Sequence, residues 1–338
     1  MKYKEILEKN DMQVVEYTNV CAIPVGRQQI ICLYDEEGNY IPNTSKRTYG
    51  KSEYYKPDTP HTYDMDKIEY VDEEVVFLGF LRGHWGHFIV DGSVRLWALT
   101  LQKYKGKKVL ARIEGNATFC KILLKHLGIE ENQILQIDVP TRFKKVHVPD
   151  ISYVPFTYIS KKFLAPYRTI AEQINLEKEV FEKIYLSREH FAKGKKELGE
   201  KYIRQIFEDN GYHILYPEEL SFEEQVWYYK NCKEIVTTNG TVSHNVVYAN
   251  EGIRLVLLKR FDDTNLHQLA INQINNIEFI EVDCFEKGSE RDKCLMLQTK
   301  ELEEFCKDNS MIYGKQKMWR KICLKLVFRI PYLYKVFG

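Results

Sequence analysis

The chain has 338 residues, of which 29% are charged and 44% are hydrophobic, and its formal net charge is +1. This length predicts two domains, and the balanced charge excludes the broad basic surface typical of nucleic-acid binding. The eight cysteines show no zinc-binding spacing, no apolar run is long enough to span a membrane, and the N-terminal residues MKYKEILEKND lack the apolar core of a signal peptide. We therefore expect free thiols in a reducing cytoplasm.

The first half of the chain alternates between strand-like and helix-like segments. Strand-like runs within residues 13–34 are followed by an irregular Tyr- and Pro-rich stretch at 41–72. A strand at Glu74–Phe80 precedes a predicted helix from about Gly86 to Tyr104. Three further strands and one helix are predicted at Lys108–Ile113, Ala117–Leu127 (helix), Gln133–Ile137 and Lys145–Val148. This alternation predicts a mainly parallel sheet with helices on its faces.

The predicted helix Gly86–Tyr104 carries a polar stripe beside its apolar face. The stripe contains His84, His87, Asp91 and Arg95, and His87 lies four residues before Asp91, so the two side chains are neighbours on a helix. A histidine or a carboxylate tuned by a neighbour can accept the proton of a hydroxyl group. On the residues alone, an exposed Asp91–Arg95 ion pair with His87 beside it is the simpler interpretation.

The second half predicts a second α/β set centred on residues 233–258. Its strands are predicted at Lys183–Ser187, Tyr212–Leu215, Lys233–Val236, Ile253–Leu258 and Ile277–Val282. The turn at Gly240–Ser243 would place backbone amides at a helix start, which attracts anions. Arg188 ends a strand of the same sheet, so both features are expected at the edge where a diphosphate would bind. An ordinary turn and a surface arginine are the alternatives.

Residues 315–338, KQKMWRKICLKLVFRIPYLYKVFG, carry seven basic residues and no acidic one. This composition predicts a basic amphipathic helix that lies on an anionic membrane surface. The alternative is a helix that packs on the protein with solvated lysines. The expected basic face comprises Lys317, Lys321, Lys325 and Arg329, and the apolar surface comprises Trp319, Ile322, Leu326, Phe328 and Ile330.

Several motifs, in a fixed order over residues ~75–260, resemble glycosyltransferase family 61. LRGHWGHFIVDGSVRLW is similar to the family pattern N/G-x-x-H-x-x-x-D-x-x-x-R-L, KIYLSREH contains its "yisR", and GYHILYPEELSFEEQ is similar to "Gf-x-i-x-x-pE-x-l-s-f-x-e-Q". The loop motif "hGa-x-x-x-N" matches Asn239, Gly240, Thr241 and Asn245, with Asn239 in place of the usual histidine. The resemblance covers about half of the chain.

This resemblance implies a GT-B fold, in which two Rossmann-like domains face each other across a cleft. It also implies inverting transfer from a nucleotide sugar, with no essential metal and no other cofactor. The expected domains are an acceptor-side domain at 1–160, a donor-binding domain at 161–290, a closing helix at 291–314 and the basic tail at 315–338.

The resemblance further implies roles for individual residues. His87 and Asp91 become candidates for the catalytic base, with His84 and Arg95 in support. The donor-binding candidates are Arg188, Asn239, Gly240, Thr241, Ser243, His244 and Asn245. Nucleoside contacts or helix capping are implied for Glu218, Glu223 and Gln225. The acidic residue that the family has in the helix after the arginine corresponds loosely to Glu200.

The expected partners are a nucleotide-sugar donor, a glycan acceptor and an anionic membrane surface, but no nucleic acid. The acceptor is expected to be a lipid-linked capsular or surface polysaccharide, made at the inner face of the cell membrane. Two alternatives remain open. One is a metal-dependent transferase that holds Mn²⁺ through Asp64-Met65-Asp66. The other is a non-catalytic glycan- or nucleotide-binding protein.

Overall fold

The computed structural model describes residues 6–47, 53–54, 67–191, 198–263 and 265–330. The chain divides into two units, Met1–Gln173 (unit 1) and Ile174–Gly338 (unit 2). The Asp64-Met65-Asp66 motif lies outside the described residues. None of the helices in the described ranges combines the length and the apolar character that crossing a membrane requires.

Unit 1 is built on a six-stranded mixed sheet, with a small three-stranded sheet beside it. Its strands are β1 (Leu7–Glu8), β2 (Val14–Val25), β3 (Ile30–Tyr34), β4 (Glu69–Leu81), β5 (Lys108–Ile113), β6 (Ile134–Leu135), β7 (Thr141–Pro149), β8 (Tyr153–Val154) and β9 (Tyr158–Ile159). Its helices are α1 (Trp85–His87), α2 (Thr118–His126) and α3 (Ala165–Gln173). The large sheet has the order β3-β2-β7-β4-β5-β6 and the small one β1-β9-β8. In the large sheet, β2 runs antiparallel to both neighbours and the other pairs are parallel.

The segment after β4 is not the single amphipathic helix that the sequence predicts. α1 is followed by a π turn at Phe88–Gly92 and by two 3₁₀ turns at Leu96–Thr100 and Gln102–Tyr104. Most of this segment is buried, so its apolar residues do not form one stripe. A Cβ on Gly92 would lie 3.1 Å from the backbone nitrogen of Arg82 and 3.1 Å from Phe88 Cδ2. The π turn, which is wider than an α-helical turn, therefore packs Gly92 directly against the backbone that follows β4.

Unit 2 contains a five-stranded parallel sheet in the order β11-β10-β12-β13-β14. The strands are β10 (Lys183–Leu186), β11 (His213–Leu215), β12 (Glu234–Thr238), β13 (Arg254–Lys259) and β14 (Glu278–Asp283). The helices are α4 (Glu200–Asp209), α5 (Phe222–Asn231), α6 (Leu266–Ile274), α7 (Lys300–Asp308) and α8 (Met318–Arg329). All five strands lie within two residues of their predicted bounds, and the expected α/β class is confirmed. The order corresponds to the 2-1-3-4-5 arrangement of doubly wound sheets, whose ligands bind where the strand order reverses.

Candidate functional site

Three polar segments of unit 2 leave the sheet at its carboxyl edge. Arg188 follows β10, the Asn239–Gly240 turn follows β12, and Arg260 follows β13. Because β10 and β12 are neighbours while β11 lies on the far side of β10, the sheet reverses its order between them. Arg188 and Gly240 therefore lie at the position where doubly wound sheets bind nucleotides.

Gly240 lies beside two guanidinium groups. A Cβ on Gly240 would lie 3.6 Å from Arg260 Nη2 and 3.9 Å from Arg188 Nη1. The backbone of Gly240, with φ 158° and ψ −172°, is in a region that is essentially restricted to glycine. Two planar cations beside one half-buried backbone segment form a geometry suited to phosphate oxygens.

Arg260 was not among the residues that the sequence singled out. Its backbone N–H donates to Asn239 Oδ1 at 3.1 Å and its Nε donates to the Asn239 carbonyl at 2.8 Å, so Asn239 holds this arginine in place. Arg260 is only 6% exposed. The sequence could have pointed to Arg260, because it follows the predicted strand after the Gly240 loop. Neighbouring parallel strands place their carboxyl ends at the same edge of a sheet.

Glu200, at the start of α4, fixes the backbone of Arg188. Its Oε1 accepts hydrogen bonds from Tyr185 Oη and Ser187 Oγ, both at 3.2 Å, and from the Arg188 N–H at 3.1 Å. Glu200 is 1% exposed. The burial of Tyr185, and after it the charge of Glu200, raises the pKa of Tyr185 well above its ordinary value. The carboxylate thus acts on the candidate site through the position of Arg188.

The loop after Gly240 forms a 3₁₀ helix at Thr241–Tyr248 instead of an α-helix. Ser243 Oγ donates to the Gly240 carbonyl at 2.7 Å, which ties the turn together, and Thr241 is half-buried. Asn245 is buried, and its Nδ2 lies 3.5 Å from Gln225 Oε1 on α5. These side chains connect the loop to the body of unit 2.

The imidazole of His244 lies between the 3₁₀ helix and α6. Its Nδ1 is 2.8 Å from Gln268 Oε1, and its Nε2 is 3.4 Å from Asn265 Nδ2. Gln268 in turn donates to Asn272 Oδ1 at 2.8 Å. Because an amide oxygen only accepts, Nδ1 carries the proton. Both ring nitrogens therefore contact amide side chains of unit 2.

The three candidates for nucleoside contacts differ in their surroundings. Gln225 Nε2 donates to the carbonyl oxygens of Pro217 at 2.9 Å and Leu220 at 3.4 Å. Glu218 is exposed in a short 3₁₀ turn and Glu223 is half-buried in the first turn of α5. A capping box begins α5, with Ser221 and Glu224 as its two members.

In unit 1, Asp91 is enclosed by two arginines. Its Oδ1 accepts from Arg47 Nε at 2.5 Å, and its Oδ2 accepts from Arg82 Nε at 3.1 Å and Nη2 at 2.9 Å. The side chains of Asp91, Arg47 and Arg82 are 6%, 5% and 11% exposed, respectively. Arg95 does not pair with Asp91. It is buried and donates to the carbonyl oxygens of Pro149 and Asn43.

His87 lies half-buried one turn before Asp91, with its ring 5.1 Å from that of the exposed His84. Burial lowers the pKa of His87 below 6.5, and the charges of His84 and Arg82 lower it further, partly offset by Asp91. The imidazole is therefore mainly neutral at pH 7, which is the form that can accept a proton.

Within the part of the chain that the structure describes, no group of three or more His, Cys, Asp or Glu side chains is arranged to hold a metal ion. The family model described as Glycosyltransferase 61 matches residues 85–256. That range is just over half of the 338 residues and includes His87, Asp91, Arg188 and the loop at 239–245. No curated protein matches the chain.

Proposed function

This chain belongs to glycosyltransferase family 61 and is a glycosyltransferase, and we propose that it transfers a sugar, with inversion and without a metal ion, from a nucleotide-sugar donor to a glycan acceptor. The observation that carries this proposal is the convergence of Arg188 and Arg260 beside Gly240, at the point where the unit 2 sheet reverses its strand order. A nucleotide diphosphate carries the charge and the oxygen geometry that two guanidinium groups recognise.

In the proposed donor site, the two arginines bind the diphosphate and stabilise the charge that develops on it as the sugar leaves. Fixed cations do this well because they need no reorganisation during the reaction. Ser243 and the backbone of the Gly240 turn contribute hydrogen-bonding groups nearby. Thr241, His244 and Asn245 remain candidates for contacts to the sugar, and Glu218, Glu223 and Gln225 for contacts to the nucleoside.

We assign the catalytic base to His87. Both carboxylate oxygens of Asp91 accept hydrogen bonds from arginines, whereas the lowered pKa of His87 favours a neutral imidazole. In this assignment Asp91 is a positioning residue, whose charge holds Arg47 and Arg82 next to the imidazole. His84 is a further neighbour of the base.

The proposed reaction is a single displacement. His87 takes the proton of the acceptor hydroxyl as its oxygen forms a bond to the anomeric carbon. The bond from that carbon to the diphosphate breaks, and its electron pair leaves with the diphosphate. Because attack and departure are on opposite sides, the configuration inverts.

We also propose the GT-B arrangement, with unit 2 binding the donor and unit 1 the acceptor. The acceptor is proposed to be a lipid-linked capsular or surface polysaccharide, which the enzyme meets at the inner face of the cell membrane through residues 315–338. This location is consistent with the seven basic residues of that segment.

The donor site is tested by a thermal-shift screen with UDP, GDP, CMP and dTDP sugars. At a hundredfold excess over Kd, a bound nucleotide stabilises the protein by about 2.7 kcal/mol, which raises Tm by roughly 5–10 °C. Arg188→Ala and Arg260→Ala should abolish this shift. Arg254→Ala is the matched control, because Arg254 lies at the opposite end of β13 and pairs with Glu234 and Glu278. Equal shifts in all three variants would contradict the assignment.

The catalytic assignment is tested by turnover. His87→Ala should lose at least about a hundredfold in kcat while keeping the nucleotide-induced thermal shift. If its kcat is unchanged, His87 is not the base.

The metal-dependent alternative predicts a different result in EDTA. If Asp64 and Asp66 hold Mn²⁺ on the diphosphate, chelation and Asp64→Asn should both abolish turnover. Our proposal predicts full activity in both cases. The non-catalytic alternative is not favoured by membership in a glycosyltransferase family.

A further inference from the structure

The outward-facing side of α8 carries a row of exposed apolar side chains, which we call the α8 stripe. The residues recur every three or four positions, so they share one side of the helix. Each is large, hydrophobic and between 43% and 72% exposed. The stripe consists of Met318, Trp319, Ile322, Leu326 and Ile330.

The opposite side of α8 is attached to unit 2. Phe328 is buried in a small cluster with Leu295 and Leu297. Lys325 Nζ and Arg329 Nη2 pair with Glu286 at 2.7 and 3.3 Å. Ion pairs and apolar contacts together therefore fix which side of the helix faces outward.

This orientation differs from the one that the sequence predicts. Lys321 Nζ donates to the Gln298 carbonyl at 2.8 Å, so Lys321, Lys325 and Arg329 all contact groups of unit 2. Three of the four residues of the expected basic face thus help to dock α8, although Lys317 and Arg329 are exposed, and the large apolar residues of the stripe are exposed as well.

We propose that the α8 stripe inserts into the boundary between headgroups and acyl chains of a lipid membrane. A lone apolar stripe of this size is typical of helices that lie in the plane of the interface, and Trp319 has the amphipathic ring that is enriched there. Lys317 and Arg320 flank the start of the stripe, where anionic headgroups would meet them.

Charge argues for lipid over a second copy of the chain. Residues 315–338 contain no acidic residue, and although Glu286 pairs with Lys325 and Arg329, pairing two α8 stripes would bring the like charges of Lys317 and Arg320 close together. This inference deepens the proposed membrane association, and it does not depend on the donor site or on the catalytic base.

Cys323 offers a probe beside the stripe, because it is exposed while the other seven cysteines are buried. A polarity-sensitive fluorophore on Cys323 should shift to shorter wavelength when vesicles of phosphatidylcholine and phosphatidylglycerol are added. A smaller but measurable shift is expected with phosphatidylcholine alone, because apolar burial contributes without charge.

The stripe itself is tested by flotation of the unlabelled protein with the same vesicles. Ile322→Ser combined with Leu326→Ser should weaken vesicle binding by about tenfold or more. Val139→Ser combined with Val180→Ser is the matched control, since these valines are 58% and 49% exposed but lie outside the stripe. Glycosyl transfer to a soluble acceptor should be unchanged in both, which separates this inference from the proposed activity.

Three results would overturn the proposal. The first is unchanged flotation of the Ile322/Leu326 variant. The second is a dimer in light scattering that this variant converts to a monomer, which would identify a second copy as the occupant. The third is a fluorophore on Cys323 that already reports apolar surroundings without vesicles and does not shift when they are added, which would show that the chain covers its own stripe.

Discussion

Replacing Asp91 with asparagine removes a negative charge that binds both Arg47 and Arg82. The wild-type carboxylate accepts three hydrogen bonds from them. The side chains of Asp91, Arg47 and Arg82 are each no more than 11% exposed. The asparagine keeps the shape, but its amide must direct a donor at one of the arginines. Two largely buried cations then lose the carboxylate that they share.

The expected cost is about 3–5 kcal/mol, the usual range when one partner of a buried ion pair is removed. In a unit of this size, each kcal/mol corresponds to roughly 2–4 °C in Tm, so we expect the transition of unit 1 to fall by roughly 6–20 °C. The cost should shrink by about 1–3 kcal/mol when Arg47→Met is already present, because the two residues interact directly.

Hydrogen exchange measured by mass spectrometry suits this test, because peptides from β4 and β5 report on unit 1 separately from unit 2. Asp138→Asn is the matched control. Asp138 pairs with Arg112 at 2.8 Å, but its carboxylate is 81% exposed, so the same substitution should cost less than about 0.5 kcal/mol. Equal destabilisation by the two substitutions would refute the view that Asp91 has a mainly electrostatic, structural role.

Three further predictions concern the two candidate sites. Because the base acts when neutral and the pKa of His87 is lowered, kcat/KM should fall as pH is lowered, with its midpoint below 6.5; a midpoint above 6.5 would contradict this. Gly240→Ala should weaken donor binding at least about tenfold in titration calorimetry, because it strains the backbone by about 1–3 kcal/mol and puts a methyl group beside Arg188 and Arg260. Glu200→Gln should raise KM for the donor more than it lowers kcat, because it loosens the Arg188 backbone without touching the reacting atoms; equal changes would indicate a general loss of folding.

The strands of unit 2 could be predicted because parallel strands buried on both faces appear as short apolar runs. Their lateral order could not, since it depends on where each crossover returns to the sheet. The adjacency of β10 and β12 is nevertheless what brings Arg188 next to Gly240. The same order puts β13 beside β12, so Arg260 becomes recognisable as a third element of the site only when the order is known.

The segment after β4 was predicted less well for a different reason. Amphipathic periodicity identifies a helix that has one face in solvent, but Phe88–Gly92 and Leu96–Thr100 are mostly buried. A helix wheel therefore assigned Arg95 to the same polar stripe as Asp91, whereas the π turn changes the register and Arg95 binds backbone carbonyls instead.

Asp91 illustrates how a distant residue can decide a chemical role. The sequence treats His87 and Asp91 as equivalent candidates for the base, because local spacing shows only that they are neighbours. Arg47 comes from a stretch that looked irregular, 44 residues before Asp91, and it occupies the carboxylate oxygen that Arg82 leaves available. The carboxylate is thereby committed to holding two cations, and the same positive charge of Arg82 helps to keep His87 neutral. In the proposed assignment, the ion pairs make Asp91 unsuited to accept a proton, while burial first, and then the charges of His84 and Arg82, keep the imidazole beside it neutral.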